Sequence, residues 1–585
     1  MWGYFRFRYR RSLRRWRRDV RILRQWAVRY LERHIWGKWY QLWLVRRFLV
    51  VWCAVMLVGL AGTWQQYHQV RRAAQVVAAE PGGTYTEAAV GSLTTLNPLL
   101  PENDTSASIN RLLFSGLTQY NGRRQLVSDL ADHWTVSPDG RTYTFTLRHG
   151  VTWHDGVPFT AGDVAFTIAA IQNPDSRSPL AASWQGVKVS THDDYTVVFT
   201  LPSPLASFLD STTLGIVPRH LLESVEPTQL REASFNRRPI GTGPFRLSTF
   251  APSAHEVELV ANPAYYAGRP KLDGFMFRLY DTPQAALTAY AQHQVSSPGQ
   301  LQPENADALG RVAGLADYAM SLPEEATLFF ANGEARLKDA KLRSILSRSL
   351  DRAAVAAAAT GDQGVAVAQP LLPGQLGYSA TTAPARLSPA ATRAALDAAG
   401  YTLGGGGVRR GSDGRPLSFT LTTLNDRQLV AAAGEVKRQW QALGVELTVA
   451  PHELADLQQT YMRPRNFQML LFGVNVGADP DVYAYWHSSQ AKDPGVNLSG
   501  YASIEADRAL EAGRIKTDPE VRRAKYAAFL AAWNADAPAA VLYQTVYHYA
   551  ASADAAGITA RRLVTPADRY FGVQDWTIRY HLADR

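Results

Sequence analysis

Four places in the chain hold residue types that could do chemistry. Asp479-Pro480-Asp481 puts two carboxylates one residue apart, a spacing that can hold a divalent cation. A proline between them more often marks a rigid loop that opens a helix, and that is the reading taken. His154-Asp155 is a candidate dyad in a Gly- and Pro-rich turn, but no serine or cysteine accompanies it in sequence as a nucleophile. Gly241-Thr242-Gly243 resembles a phosphate cradle that lacks the lysine and the third glycine, which leaves a tight turn. Cys53 is the only cysteine, so an intramolecular disulfide and a cysteine-rich metal site are excluded. It lies in an apolar run and reads as a buried small hydrophobe. There is no G-x-S-x-G elbow, no H-E-x-x-H pair and no P-loop. No catalytic residue, metal site or cofactor is expected, and the chain is not read as an enzyme.

The elements that would position any site are α/β. Arg141 to Arg148 alternates, with Tyr143, Phe145 and Leu147 on one face, and Asp139-Gly140 before it signals a hairpin turn. Tyr195 to Leu201 is a second strand of this kind. Leu342, Ile345, Leu346 and Leu350 share a helical face. Ser388-Pro389 opens a helix that Gly400 closes. Leu429, Ala433, Val436, Trp440 and Leu443 form a stripe ended by Gly444, and the strand Val445, Leu447, Val449 follows at once. Asp518-Pro519 opens a helix carrying Val521, Phe529 and Trp533. Helix–glycine–strand junctions of this sort predict a mixed sheet and a body of more than one lobe. Gly404 to Gly407 predicts a flexible loop.

The net charge of +10 is concentrated in the N-terminal segment. Residues 1–47 hold fourteen Arg and one Lys against Asp19 and Glu32, a balance of +13, and the rest of the chain balances to −3. The body therefore has no overall bias toward nucleic acid. Phe48 to Trp64 is seventeen residues without a charge. As a helix this run is about 26 Å long, just adequate for a bilayer core. Arg46 and Arg47 flank its start, and Trp36, Trp39, Tyr40 and Trp43 supply an interfacial belt. An uncleaved single-pass anchor is expected, with 1–47 cytoplasmic and the body outside the cell. A cleaved signal peptide is the alternative. Within 1–47, Leu13, Trp16, Val20, Leu23, Ala27 and Tyr30 make a narrow apolar stripe among arginines, which suits a helix lying on an anionic inner leaflet. A solvated basic arm is the plainer reading. Residues 65–80 are expected to form a short helical stalk.

The stretch Leu130 to Phe166, LADHWTVSPDGRTYTFTLRHGVTWHDGVPFTAGDVAF, resembles the signature region of the family 5 extracellular solute-binding proteins. Those include the dipeptide-, oligopeptide- and nickel-binding proteins of ABC importers. The likeness recurs at Leu96 to Leu99, Pro239 to Phe245, Ala261 to Leu272, Leu342 to Arg352, Asp479 to Ser488 and Asn497 to Tyr501, and spans roughly 80–575. It implies a two-lobed periplasmic-binding-protein-like fold of type II with an extra subdomain, here preceded by the transmembrane helix. By analogy lobe I would be 81–118, 236–315 and 553–585, the extra subdomain 119–235, and lobe II 316–552. Trp153, Asp155, Gly156 and Pro158 would shape a turn, and Asp163 would cap a helix.

The implied function is an extracytoplasmic binding module. It would capture a peptide or other small solute and hand it to ABC permease and ATPase subunits, with no nucleic acid partner. The residues expected to meet the solute are Asn97, Phe114, Phe472, Asn475, Asp479 and Trp486. Relatives that bind peptides carry an aspartate for the ligand amine four residues before the position of Pro480. Here that residue is Val476, which cannot pair with a buried ammonium. Either Asp479 substitutes for it, or the ligand has no free amine there. The competing reading is a transmembrane sensor that uses the basic segment as its readout.

Overall fold

The computed structural model describes residues 25–26, 28–30, 46–252, 255–301, 314–361 and 363–584. They form two compact units, Met1–Ala78 with Tyr580–Arg585, and Ala79–Arg579. In the first, helix Arg46–Ala74 includes the run 48–64 expected to be an anchor. Val50, Trp52, Leu57, Val58 and Leu60 are exposed on it, and so is Cys53, which is not the buried residue expected. Nothing among the described residues removes these side chains from solvent. Among the described residues no helix is long and apolar enough to cross a membrane. The expected stalk is helical only to Ala74; Gln75–Glu80 is a strand of a two-stranded sheet. Backbone pairing there overrides a helical reading. The expected amphipathic helix within 1–47 lies almost wholly outside the described residues.

The second unit is built on three larger sheets. One runs Thr84–Val90, Gly274–Tyr280, Glu256–Ala261, Phe245–Ala251. Another runs Ala131–Val136, Thr142–Leu147, Thr196–Thr200, Lys188–Asp193. Its first two strands are the hairpin predicted at Asp139-Gly140, and Tyr143, Phe145 and Leu147 face inward as their alternation requires. A single apolar cluster unites these two sheets.

The third sheet has seven strands and holds the rest. Its parallel pair Ser418–Leu424 and Glu446–His452 is joined by helix Arg427–Gln441, which Asp426 caps and Gly444 (φ +83°) follows. Strand alternation splits its core onto two faces. Leu328, Leu471 and Leu542 lie in one cluster, Phe329, Leu470 and Val541 in the other. Helix Pro519–Asp536 starts at Asp518 as expected and buries Phe529 and Trp533, but Val521 is exposed. The run Gly404 to Gly407 is the turn of a short hairpin, Thr402–Leu403 with Arg409–Arg410.

Two long strands, Leu315–Phe330 and Ala539–Ser552, pair antiparallel and run through both halves. Met320, Leu322, Tyr547 and Tyr549 pack in the first cluster, whereas Ala326, Leu328, Ala540 and Leu542 pack in the second. The ribbon therefore passes from lobe I to lobe II between Leu322 and Ala326. Its register shifts there, between Ser321 and Glu325. Irregular pairing bends a strand, and the bend lies where the ribbon crosses between the lobes. Glu325 at this point is fully buried with Thr327 as its partner, and burial pushes its carboxyl up to about 8.

Candidate solute-binding cleft

Helix Asp104–Leu113 borders a cavity walled by residues of lobe I and the extra subdomain. Asn103 caps it, accepting from Ser106 N–H at 2.9 Å, while Ser106 answers as the other half of a capping box. Its last turn packs on Gly241-Thr242-Gly243. A Cβ on Gly241 would lie 1.8 Å from the Leu113 carbonyl oxygen, and one on Gly243 would lie 2.4 Å from that of Leu112. The two glycines are there for close approach, not for phosphate. His154 clamps the same turn. Its Nδ1 accepts from Gly241 N–H and its Nε2 donates to the Gly243 carbonyl, both at 3.1 Å. Burial pushes this imidazole down to about 4, so it stays neutral. Its sequence neighbour Asp155 pairs with His220 at 2.9 Å instead, so no dyad forms.

Beyond that helix end lies a cavity of about 340 Å³. Asn110, Phe114, Tyr120, Asp210, Thr213 and Asp568 are among its walls. The Asp210 carboxyl accepts a hydrogen bond from the Tyr120 hydroxyl. Burial pushes Asp210 up to about 7, and the Asp479 carboxylate on the other lobe adds to this, while the Asp479 backbone N–H works against it. The proton-bound form is thus favoured in the folded protein. Its contribution is full below about 3.8 and is lost as pH rises through about 7.

The lobes touch beside this cavity. Ala206 N–H donates to the Arg514 carbonyl at 2.9 Å, and Ser207 Oγ donates to Asp481 at 3.2 Å. Asp481 also pairs with Arg514 at 3.0 Å, and Asp479 with Arg522 at 2.5 Å. Both carboxylates of the Asp-Pro-Asp loop therefore pair with arginines, although Asp481 Oδ1 has no hydrogen-bond partner among the described residues. The loop itself is pinned: Gln375 Nε2 donates to the Gly477 carbonyl at 2.9 Å, and the Tyr485 hydroxyl donates to the Asn475 carbonyl at 2.6 Å.

The six residues expected at the solute lie in different settings. Phe114 lines the cavity. Asn97 is fully buried, donating to Asn236 Oδ1 at 2.9 Å and accepting from Leu99 N–H at 2.9 Å, so it holds the chain around it. Phe472, Asn475 and Asp479 follow one another along a strand and loop of lobe II. Phe472 is half-buried against the core, and Asn475 is exposed with Oδ1 accepting from Gly477 N–H. Trp486 is only 1% exposed and stacks on Phe329 at 5.7 Å. Val476 is buried among apolar side chains. Asn110 and Asp210 were not legible as site residues. The one signal was a buried polar pair, Ser106 and Asn110, four apart on the helix face.

The sequence model of the bacterial extracellular solute-binding proteins, family 5 (Middle), matches residues 125–495, well over half of the chain. The chain belongs to this family. Protein XP55 of Streptomyces lividans is 31% identical over 74% of this chain and 78% of its own length. The oligopeptide-binding protein AppA of Bacillus subtilis (strain 168) is 27% identical over 80% of this chain and 88% of its own. Among solved structures, NikZ from Campylobacter jejuni in complex with Ni(L-His) superposes with a TM-score of 0.67 at 26% identity, over 84% of this chain and 99% of that one. In this family 5 chain the signature region is scaffold. Trp153 is 1% exposed, Gly156 takes φ +90°, and Asp163 completes a capping box with Thr160 while accepting from Arg219 N–H at 2.9 Å.

Proposed function

We propose that this chain is the extracytoplasmic solute-binding component of an ABC importer. It takes peptides or peptide-like solutes between its lobes and presents them to permease and ATPase subunits. The observation that carries this reading is the pair of crossing strands, which ties two lobes together at a bend with a small cavity beside their junction. Family membership and the relative named as an oligopeptide-binding protein support it. Within the proposal, lobe I is 81–118, 236–315 and 553–585, the extra subdomain 119–235, and lobe II 316–552, except that Met320, Leu322, Tyr547 and Tyr549 of the crossing strands pack with lobe I and Tyr580–Arg585 belongs to the N-terminal unit. Binding without chemistry should raise the melting temperature by mass action, shrink the radius of gyration in solution scattering, and return the solute unchanged. A chemically altered peptide after incubation would replace this reading with an enzyme.

Attachment to the membrane through 48–64 is part of the same proposal, supported by the uncharged run and by the exposed apolar side chains of helix Arg46–Ala74. Protease added to intact cells should digest the body and leave a small basic N-terminal fragment. A soluble mature protein starting after Trp64 would sink the anchor while sparing the binding function.

A further inference from the structure

One acceptor in the cavity wall has no partner among the described residues. Asn110 Oδ1 is buried and accepts no hydrogen bond from them; the residue is 7% exposed. A buried acceptor left unmet is costly, so a group absent from the folded chain alone is expected to meet it. Every other polar wall of the cavity is already engaged. Arg111 donates to Gln119 at 2.8 Å and lies 4.0 Å from Asp129. Thr213 donates to the Asp210 carbonyl, and Asp568 accepts from Val564 and Thr565 N–H.

The sign of the site follows from the same contacts. Asp210 and Asp568 face the cavity, while the charge of Arg111, the one cation among its described lining residues, is matched by Asp129. The helix Asp104–Leu113 presents its C-terminal half, the negative end of its dipole. A cation is favoured over an anion on both counts. The volume is at the small end for small-molecule sites, which span roughly 300–1,000 Å³. In the Asp479 loop, Asp479 and Asp481 pair with Arg522 and Arg514, while Asp481 Oδ1 is buried without a hydrogen-bond partner among the described residues.

We propose that this cavity takes the ammonium group of a small amine-bearing solute, with Asn110 accepting one of its N–H bonds and Asp210 supplying the countercharge. The assignment deepens the importer reading and rests on it for the route by which solute arrives. The groups facing Asp210 are the Tyr120 hydroxyl, the carboxylate and N–H of Asp479, and, more remotely, Arg522.

Calorimetric titration of the full chain in mild detergent decides the matter with four probes: dialanine, N-acetyl-dialanine, n-butylammonium and n-butanol. Wild type should bind the two amines and bind their amine-free counterparts at least tenfold more weakly. Asp210→Asn keeps the side-chain shape and should erase both preferences. Asn110→Ala should weaken the amines alone by about tenfold, the worth of one hydrogen bond. Wild-type affinity for butylammonium should fall as pH drops from 8 to 5, because a proton then competes for Asp210, and should stay flat in Asp210→Asn. If that variant does not fold, the wild-type pH profile carries the test by itself. Butylammonium bound without dialanine would keep the cavity assignment and remove peptides as its solutes. Equal binding of free and acetylated peptide by all three proteins would overturn the assignment and leave the peptide importer in place. Failure of both amines to bind would overturn it too.

Discussion

Arg569→Met is expected to cost about 3–5 kcal/mol of folding stability, because it leaves a buried carboxylate without its cation. Arg569 pairs with Glu87 at 2.6 Å, with the two side chains 5% and 2% exposed. The hydroxyls of Tyr549 and Tyr570 donate to the same carboxylate at 2.6 and 2.8 Å, and Arg569 donates to Ser108 Oγ at 3.0 Å. One network thus ties the C-terminal turn to the first strand of lobe I and to the helix that ends at the cavity. Chemical denaturation should show the loss in the unfolding of lobe I. The double variant Glu87→Gln, Arg569→Met removes both charges and should recover a large part of it. A double variant as unstable as the sum of its singles would mean that the charges are not coupled.

Trp486→Ala is expected to cost a similar amount, about 3–5 kcal/mol, through the cavity it would open in lobe II. The indole stacks on Phe329 and meets Trp533 edge-on at 5.6 Å. Phe329 and Trp533 are themselves buried, so nothing nearby can move in to fill the gap. Trp486→Phe should keep the stacked ring and leave solute affinity within about twofold. A large affinity loss in Trp486→Phe with little change in melting would show instead that this ring touches the solute.

Elements whose signals are local were legible in the sequence. The hairpin at Asp139-Gly140, the caps at Ser388, Asp426 and Asp518, and the helix–Gly444–strand junction each depend on neighbours within a few residues. The signature stretch pointed to the family because it is scaffold, and scaffold keeps its residue types. The cleft was less legible, since it is assembled from segments far apart. Asp210 meets Tyr120, ninety residues away, and no periodicity encodes that. Asp479 reads as a spare carboxylate in the sequence, whereas in the fold it pairs with Arg522. Trp486 looked like an aromatic wall, yet the hydrophobic effect that makes aromatics good walls also makes them good core.

The paired crossing strands have an evolutionary reading. Ser321 lies opposite Val546 across the ribbon, so the chain leaves for lobe II and returns from it only one strand spacing apart, about 4.8 Å. A hairpin turn joining those two residues would span the cut, and nothing on the lobe I side would need to stretch. Everything between them is in effect a single insertion, one that could be gained, exchanged or cut out in one genetic event. The network around Glu87 and Arg569 lies wholly outside that segment.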